Sequence, residues 1–151
     1  MLDVGLATYS AKNHYKRTRP FVLNQQALCT PSEAPALEKD GSYPSGHTAV
    51  GWGWALVLSE VSPEHTDAIV ARGLAFGESR NVCNAHWHSD VVQGKTVAAA
   101  TVARLHSNGT FRADLAAARA ELIAVRSKGL KPARNCAAEA AALAGQASLA
   151  Q

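Results

Sequence analysis

Four stretches of the chain place apolar residues at the spacing of an α-helix. They are predicted to form helices over residues 45–60, 62–79, 87–106 and 111–127. The clearest apolar stripe lies in the last of them and consists of Phe111, Leu115, Ala118, Leu122 and Val125. No stretch alternates apolar and polar residues convincingly, as a half-buried strand would. The pattern therefore predicts an all-α fold, a compact helical bundle.

Capping residues support the ends of the predicted helices. Ser45 suits the start of the first helix, because its side-chain oxygen can accept a hydrogen bond from a free N–H group of the first turn. Ser62-Pro63 suits the start of the second helix, with proline in the first turn. Asn108-Gly109 suits the end of the third. These residues place helix ends that periodicity alone does not fix.

The segments outside these four helices carry weaker patterns. Residues 1–20 show weak periodicity, and residues 21–43 are loop-like. Residues 129–151 are rich in alanine and poor in large apolar side chains, so we expect a frayed helix or a disordered tail there. The predicted organisation is one domain over residues 1–128, followed by that tail.

The composition is typical of a globular protein rather than a disordered one. The chain has 151 residues, of which 47% are hydrophobic and 18% are charged, and its formal net charge is +3. That excess of positive charge is too small to indicate a nucleic-acid partner, although four basic residues crowd into positions 12–19. No apolar stretch is long enough to cross a bilayer, so no membrane partner is expected.

The compartment in which the protein works is left open by the sequence. The first twenty residues do not resemble a signal peptide, because they lack an apolar core segment and turn basic where a cleavage site would lie. Either the protein is cytoplasmic as written, or its true start lies upstream and was removed. The cysteines leave a related choice between three unpaired thiols and a Cys29–Cys83 disulfide, formed in an oxidising compartment, with Cys136 left over.

Three short segments carry the residue types that a phosphate site needs. They are Lys12–Pro20, which reads Lys-x6-Arg-Pro; Pro44–His47, which reads Pro-Ser-Gly-His; and Ser79–Asp90, which reads Ser-Arg-x5-His-x3-Asp. The segments are far apart in the chain, so they can act together only if the fold assembles them.

The basic side chains and the backbone of these segments suit a phosphate dianion. Lys12, Arg19 and Arg80 supply three cations, and a planar guanidinium group can bind two phosphate oxygens at once. Ser45 and Gly46 lie where a loop enters a predicted helix, so free N–H groups and the positive end of the helix dipole are available there. We therefore predict that these five residues bind phosphate.

Two histidines and a carboxylate supply the groups for catalysis. His86 and Asp90 are four residues apart, which places them on one face of a helix. The carboxylate fixes the tautomer of the imidazole and raises its basicity, which makes one ring nitrogen nucleophilic. His47 supplies a second imidazole that can donate a proton to the leaving oxygen and later activate water. The predicted catalytic residues are therefore His86, His47 and Asp90, and no residue is assigned to a metal.

The three segments, complete and in order, resemble the signature of the acid phosphatase and vanadium haloperoxidase superfamily, also called the type 2 phosphatidic acid phosphatase group. Residues 41–105 look most like the class A bacterial non-specific acid phosphatases, and the resemblance covers roughly residues 12–122. Members of the family usually carry further helices and a secretion signal before the first segment, whereas eleven residues precede Lys12 here. We therefore expect a bundle that is shortened and lacks some N-terminal helices.

The resemblance implies an acid phosphatase that hydrolyses small phosphate monoesters. It implies that His86 forms a phosphohistidine, that Asp90 supports it, and that His47 is the general acid. It also implies that no cofactor or metal is required, that vanadate inhibits as a phosphate mimic, and that the location is periplasmic. The same intermediate could pass its phosphoryl group to another hydroxyl, which would be a phosphotransferase activity.

Other interpretations stay open at this point. The same residues could hold vanadate with His86 as its ligand, as in a vanadium-dependent haloperoxidase. The chain could also be a non-catalytic fragment that binds phosphate without turnover. A lipid phosphatase is disfavoured because no membrane helix is evident. A homo-oligomer is neither required nor excluded by the sequence.

Overall fold

The computed structural model describes residues 2–149, and this part of the chain consists of helices and connecting turns. Its α-helices are α1 (Leu2–Leu6), α2 (Tyr9–Tyr15), α3 (Pro20–Asn24), α4 (Ala34–Leu37), α5 (Gly46–Val61), α6 (Thr66–Val82), α7 (His88–Leu105), α8 (Gly109–Ser127) and α9 (Cys136–Leu149). Short 3-10 turns at Pro31–Glu33 and Pro63–His65 precede α4 and α6. The prediction of an all-α fold is confirmed.

The four helices predicted from periodicity correspond to α5, α6, α7 and α8, with ends that agree to within a few residues. Ser45 caps α5 as predicted, because its Oγ accepts a hydrogen bond from the Thr48 N–H at 3.2 Å. The prediction that Asn108-Gly109 ends the third helix is wrong, because α7 already ends at Leu105. Asn108 instead caps the start of α8, where its side chain accepts from the N–H groups of Thr110 and Phe111. The largest difference is at α6, which begins at Thr66 after a 3-10 turn rather than at Ser62.

The segments with weak patterns contain short helices. Helices α1 and α2 lie within residues 1–20, and α3 and α4 lie largely within residues 21–43. Each has four to seven residues, which is too few for a helical repeat to stand out in the sequence. In the tail, Glu139 of α9 forms an ion pair with Arg72 of α6. The domain boundary at residue 128 stays a prediction.

Helix α5 is the centre of the bundle and packs against α1, α6, α7 and α8. The fully buried part of this core consists of Val4, Ala49, Ala98 and Val102. Small residues let the neighbouring helices approach α5 closely. A Cβ atom at Gly94 of α7 would lie 2.6 Å from the carbonyl oxygen of Ser45, and one at Gly73 of α6 would lie 2.6 Å from the Cβ of Ala55. The beginning of α7 is therefore held directly against the beginning of α5.

A second apolar cluster and a disulfide fix the loop after α3. The cluster is formed by Phe21, Leu28 and Ala85. Cys29 and Cys83 are joined by a disulfide, and Cys136 is free and exposed. Of the two alternatives for the cysteines, the structure therefore contains the bridge. It ties the loop to the end of α6, three residues before His86.

Candidate active site

Two of the predicted cations are buried near each other and share one carboxylate. Lys12 of α2 and Arg19, the residue before α3, are only 5% and 2% exposed. Asp40 Oδ2 accepts hydrogen bonds from Lys12 Nζ at 3.1 Å and from Arg19 Nη2 at 2.9 Å. Burial lowers the pKa of both cations, and the charge of Asp40 partly offsets this effect. The carboxylate of Asp40, in the loop that precedes α5, thus contacts both buried cations.

The predicted histidine–aspartate pair is also buried. The side chains of His86, in the loop before α7, and Asp90, in its first turn, are 1% and 0% exposed. His86 Nδ1 lies 3.4 Å from Asp90 Oδ2, and His86 Nε2 lies 3.0 Å from Arg19 Nη1. Because a guanidinium group can only donate, Nε2 is the acceptor and Nδ1 carries the ring proton. The lone pair of Nε2 therefore faces the Arg19 guanidinium.

Asp90 has further partners, and one of them was not predicted from the sequence. Arg17 Nη1 donates to Asp90 Oδ1 and to Ser89 Oγ, both at 2.7 Å. The backbone N–H of Trp87 donates to Asp90 Oδ2 at 2.9 Å, and the Arg17 guanidinium lies 5.5 Å from the centre of the Trp87 ring. Nothing in the sequence separates Arg17 from its neighbour Lys16, which is exposed. The fold alone selects Arg17 as the partner of the carboxylate.

The surroundings of the pair favour a neutral imidazole and an ionised carboxylate. Burial lowers the pKa of His86 to about 4, although the hydrogen bond to Asp90 opposes this shift. Burial alone would raise the pKa of Asp90, but hydrogen bonds from His86 and the Trp87 N–H, with the charge of Arg17, lower it. His86 Nε2 is therefore an unprotonated base at neutral and mildly acidic pH.

The start of α5 brings the second segment to this pair. Ser45 is fully buried, its N–H donates to the Asp90 carbonyl at 3.0 Å, and its side chain serves as the helix cap. A Cβ at Gly46 would lie 3.6 Å from Lys12 Cε, so Gly46 faces the buried cation. His47 is exposed, yet partial withdrawal from solvent and then the charge of Arg80 lower its pKa. Helix α5 thus brings Gly46 and His47 to the site, whereas Ser45 holds the helix start.

Arg80 of α6 differs from the other two cations in its partners. Its Nε and Nη2 are buried and form no hydrogen bond to any residue that the structure describes. Burial lowers the pKa of Arg80, and Glu33 opposes this shift. The charge of Arg80 in turn lowers the pKa of His47 and of Arg19. Because unmet buried donors cost free energy, an anion bound beside Arg80 would be stabilised by them.

A cavity of about 400 Å³ lies beside several of these groups. Five of the eight predicted site residues line it, namely Lys12, Arg19, Gly46, His47 and His86. Ser45, Asp90 and Arg80 do not line it, although Ser45 and Asp90 contact each other directly behind it. The structure thus brings all three sequence segments to one place, and the size of the cavity suits a small molecule.

Asp40 is a second residue of this site that was not predicted from the sequence. It lines the same cavity as the two cations that it contacts. Its side chain is 44% exposed, unlike that of Asp90. Asp40 lies directly before the Gly-Ser-Tyr-Pro-Ser-Gly-His stretch at residues 41–47, and this position could have indicated it from the sequence.

Residues 2–149 contain neither a metal-binding cluster nor a membrane-spanning helix. No group of three or more His, Cys, Asp or Glu side chains in that range is arranged to hold a metal ion. No helix in the same range is both long and apolar enough to span a bilayer.

Two imidazoles and two cations thus line one small cavity in a helical protein. Sequence comparison identifies the family. The chain belongs to the PAP2 superfamily, whose family model matches residues 1–113. The resemblance inferred from the three segments is therefore confirmed.

Sequence comparison also finds relatives that are named acid phosphatases. The acid phosphatase of Zymomonas mobilis subsp. mobilis is 48% identical over 130 residues, which cover 86% of this chain and 48% of the relative. The non-specific acid phosphatase of Providencia stuartii is 51% identical over 120 residues, which cover 79% of this chain and 48% of the relative. The non-specific acid phosphatase of Salmonella typhimurium is 52% identical over 116 residues, which cover 77% of this chain and 46% of the relative. The chain thus spans about half the length of the curated relatives it matches.

Proposed function

We propose that this protein is a phosphomonoester hydrolase, an acid phosphatase, that acts through a phosphohistidine on His86. The observation that carries the proposal is the buried His86–Asp90 pair, because His86 lines the cavity together with Lys12 and Arg19, and its unprotonated Nε2 lies 3.0 Å from Arg19 Nη1. The names of the relatives support the same class of reaction.

In the first step, Arg19 Nη1 gives up its hydrogen bond to His86 Nε2, and the freed lone pair attacks the phosphorus of the monoester. The bond from phosphorus to the ester oxygen breaks. His47 in its protonated form donates its proton to that oxygen, which leaves as an alcohol. Asp90 stabilises the positive charge that develops on the imidazole, because it accepts the hydrogen bond from Nδ1. The product is a phosphoryl group bonded to Nε2.

In the second step, the neutral His47 takes a proton from water, and the water oxygen attacks phosphorus. The bond between phosphorus and Nε2 breaks, and its electron pair returns to His86. Inorganic phosphate then leaves. An alcohol in place of water would accept the phosphoryl group, which is the phosphotransferase form of the same reaction.

Groups of this chain stabilise the negative charge of the phosphoryl oxygens. Arg80 brings buried donors without protein partners in the described structure, while Lys12 and Arg19 exchange their present partners for the substrate. The N–H groups at the start of α5 add to these donors. We therefore propose that hydrolysis needs no cofactor and that vanadate, a phosphate mimic, inhibits it by binding to Nε2.

The substrate class and the location are proposed from two features. A cavity of about 400 Å³ suits small phosphate monoesters. The Cys29–Cys83 disulfide supports an oxidising compartment, for which we propose the periplasm.

Hydrolysis of a chromogenic aryl phosphate by the wild type and by His86→Ala tests the proposal. We expect the variant to lose activity by on the order of a thousandfold or more, because the nucleophile is gone. His88→Ala is the matched control, since His88 is an exposed histidine two residues further on. Equal rates from the wild type and His86→Ala would remove His86 from the mechanism.

A further inference from the structure

Asp40 places a negative charge inside the proposed phosphate site. It is an acidic residue among those that line the cavity, and its Oδ2 bridges Lys12 Nζ and Arg19 Nη2 at 3.1 and 2.9 Å. Its backbone carbonyl also accepts from Arg19 Nε at 3.1 Å. The carboxylate oxygen therefore lies between the two cations, where one oxygen of a phosphate would lie.

A phosphate held by these cations needs the same N–H groups. A lysine ammonium has three protons, and the Asp40 carboxylate and the Gly41 carbonyl accept two of those of Lys12. The Nε and Nη1 groups of Arg19 donate to the carbonyl groups of Leu37, Asp40 and Ala85 and to His86. The Nη2 group, which Asp40 engages, is thus the part of Arg19 that a phosphate oxygen would take over.

The carboxylate of Asp40 can give up this position more easily than that of Asp90. Its side chain is 44% exposed, whereas that of Asp90 is 0% exposed. Ion pairs with an exposed partner are weak, because water replaces much of the interaction when they break. Because 44% of its side chain is already exposed, the charge of Asp40 can be hydrated when its carboxylate leaves the two cations.

We propose that Asp40 is an internal competitor of the substrate, whose carboxylate has to be displaced from Lys12 and Arg19 when a phosphate binds. The proposal rests on the proposed function for the identity of the substrate, but the competition itself does not depend on turnover. Asp40 thereby weakens phosphate binding and sets KM rather than the rate of the chemical step. On the way out, the same carboxylate replaces the inorganic phosphate that has been formed and so assists its release.

The test compares Asp40→Asn with the wild type in the binding of inorganic phosphate. Asparagine keeps the shape and can still accept hydrogen bonds, but it has no charge. Glu38→Gln is the matched control, because Glu38 is exposed, lies two residues away and gives the same change in net charge. The dissociation constant is measured by titration calorimetry on the whole chain at mildly alkaline pH, where phosphate is mostly a dianion.

We expect Asp40→Asn to bind phosphate more tightly by on the order of threefold to tenfold, since it removes the competition of two partly exposed ion pairs. KM for an aryl phosphate should fall by a similar factor. Glu38→Gln should bind as the wild type does. Asp40→Ser, which removes the carboxylate entirely, should tighten binding in the same direction, and circular dichroism checks that both variants fold.

Unchanged or weaker phosphate binding in Asp40→Asn and Asp40→Ser overturns the proposal, because Asp40 then positions the cations instead of competing for them. An equal increase in phosphate affinity in Glu38→Gln also overturns the proposal, because the effect would then come from net charge alone. If binding tightens as expected but the wild type hydrolyses no monoester, the competition stands and the proposed function falls.

Discussion

The buried donors of Arg80 are expected to destabilise the free protein, and a substitution can measure this cost. Its Nε and Nη2 are buried without hydrogen-bond partners in the part of the chain that the structure describes, and each such donor costs about 1–3 kcal/mol. Methionine has a similar length and no donors. We therefore expect Arg80→Met to raise the free energy of unfolding by about 1–3 kcal/mol, after the loss of some packing is allowed for.

The same substitution should weaken phosphate binding. Hydrogen bonds from a charged group contribute about 1.5–3 kcal/mol each, so the loss of the Arg80 donors should cost roughly 3 kcal/mol. That cost raises the dissociation constant of phosphate by about a factor of one hundred. Arg80 is thus expected to lower the stability of the free protein and to increase its affinity for phosphate.

Urea unfolding followed by circular dichroism, with and without inorganic phosphate, measures both effects. Phosphate should raise the midpoint of the wild type and leave that of Arg80→Met almost unchanged, because only a state that binds the ligand is stabilised by it. Arg72→Met is the control on the same helix. The Arg72 side chain is 51% exposed and paired with Glu139. Its substitution should therefore change the free energy of unfolding by less than about 1 kcal/mol.

Two results together would contradict the expected role of Arg80. They are a lower unfolding midpoint of Arg80→Met in the absence of phosphate, and an undiminished stabilisation of that variant by phosphate. The first would mean that the buried donors are satisfied in solution, and the second that Arg80 does not bind the anion.

Two further predictions concern the pair of imidazoles. Hydrolysis needs His86 unprotonated and His47 protonated. Burial lowers the pKa of His86 to about 4, and partial withdrawal from solvent lowers the pKa of the exposed His47 below its ordinary value. A plot of kcat/KM against pH, corrected for ionisation of the substrate, should therefore be bell-shaped with an acidic optimum, and an alkaline optimum would contradict the assignment. Arg17→Ala removes a positive charge 2.7 Å from Asp90, so Asp90 should stabilise protonated His86 better. The acidic limb of the same profile should then move to higher pH, with Arg17→Lys closer to the wild type, and an unmoved limb would show that Arg17 has no influence on His86.

The long helices could be predicted from the sequence, because each spans several turns of the helical repeat. Helix α5 also begins at a capping serine, Ser45, whose hydrogen bond the structure contains. The short helices α1 to α4 could not be predicted, because four to seven residues do not establish a period. Helix α1 packs against α5 and α7, Phe21 of α3 packs against Ala85, and the disulfide at Cys29 ties the next loop to the end of α6.

The candidate site could be predicted as a set of side chains but not as a set of contacts. The joint match of three segments indicated the two imidazoles and two of the cations that line the cavity, whereas Arg80 lies outside its lining. The individual roles of these residues stay predictions. The partners of these charges depend on the tertiary fold. Asp40 meets Lys12 across 28 residues and Arg17 meets Asp90 across 73, and neither pairing leaves a periodic or motif signal in the chain. The choice between Lys16 and Arg17 likewise needs three-dimensional information.

The central claim is that phosphoryl transfer passes through the imidazole of His86. Rapid denaturation of the protein while it turns over an aryl phosphate, followed by mass spectrometry of its peptides, measures this directly. We predict a phosphoryl group on His86 in the wild type and none on the corresponding peptide of His86→Ala. A phosphoryl group on a different residue, or full turnover by His86→Ala, would contradict the account.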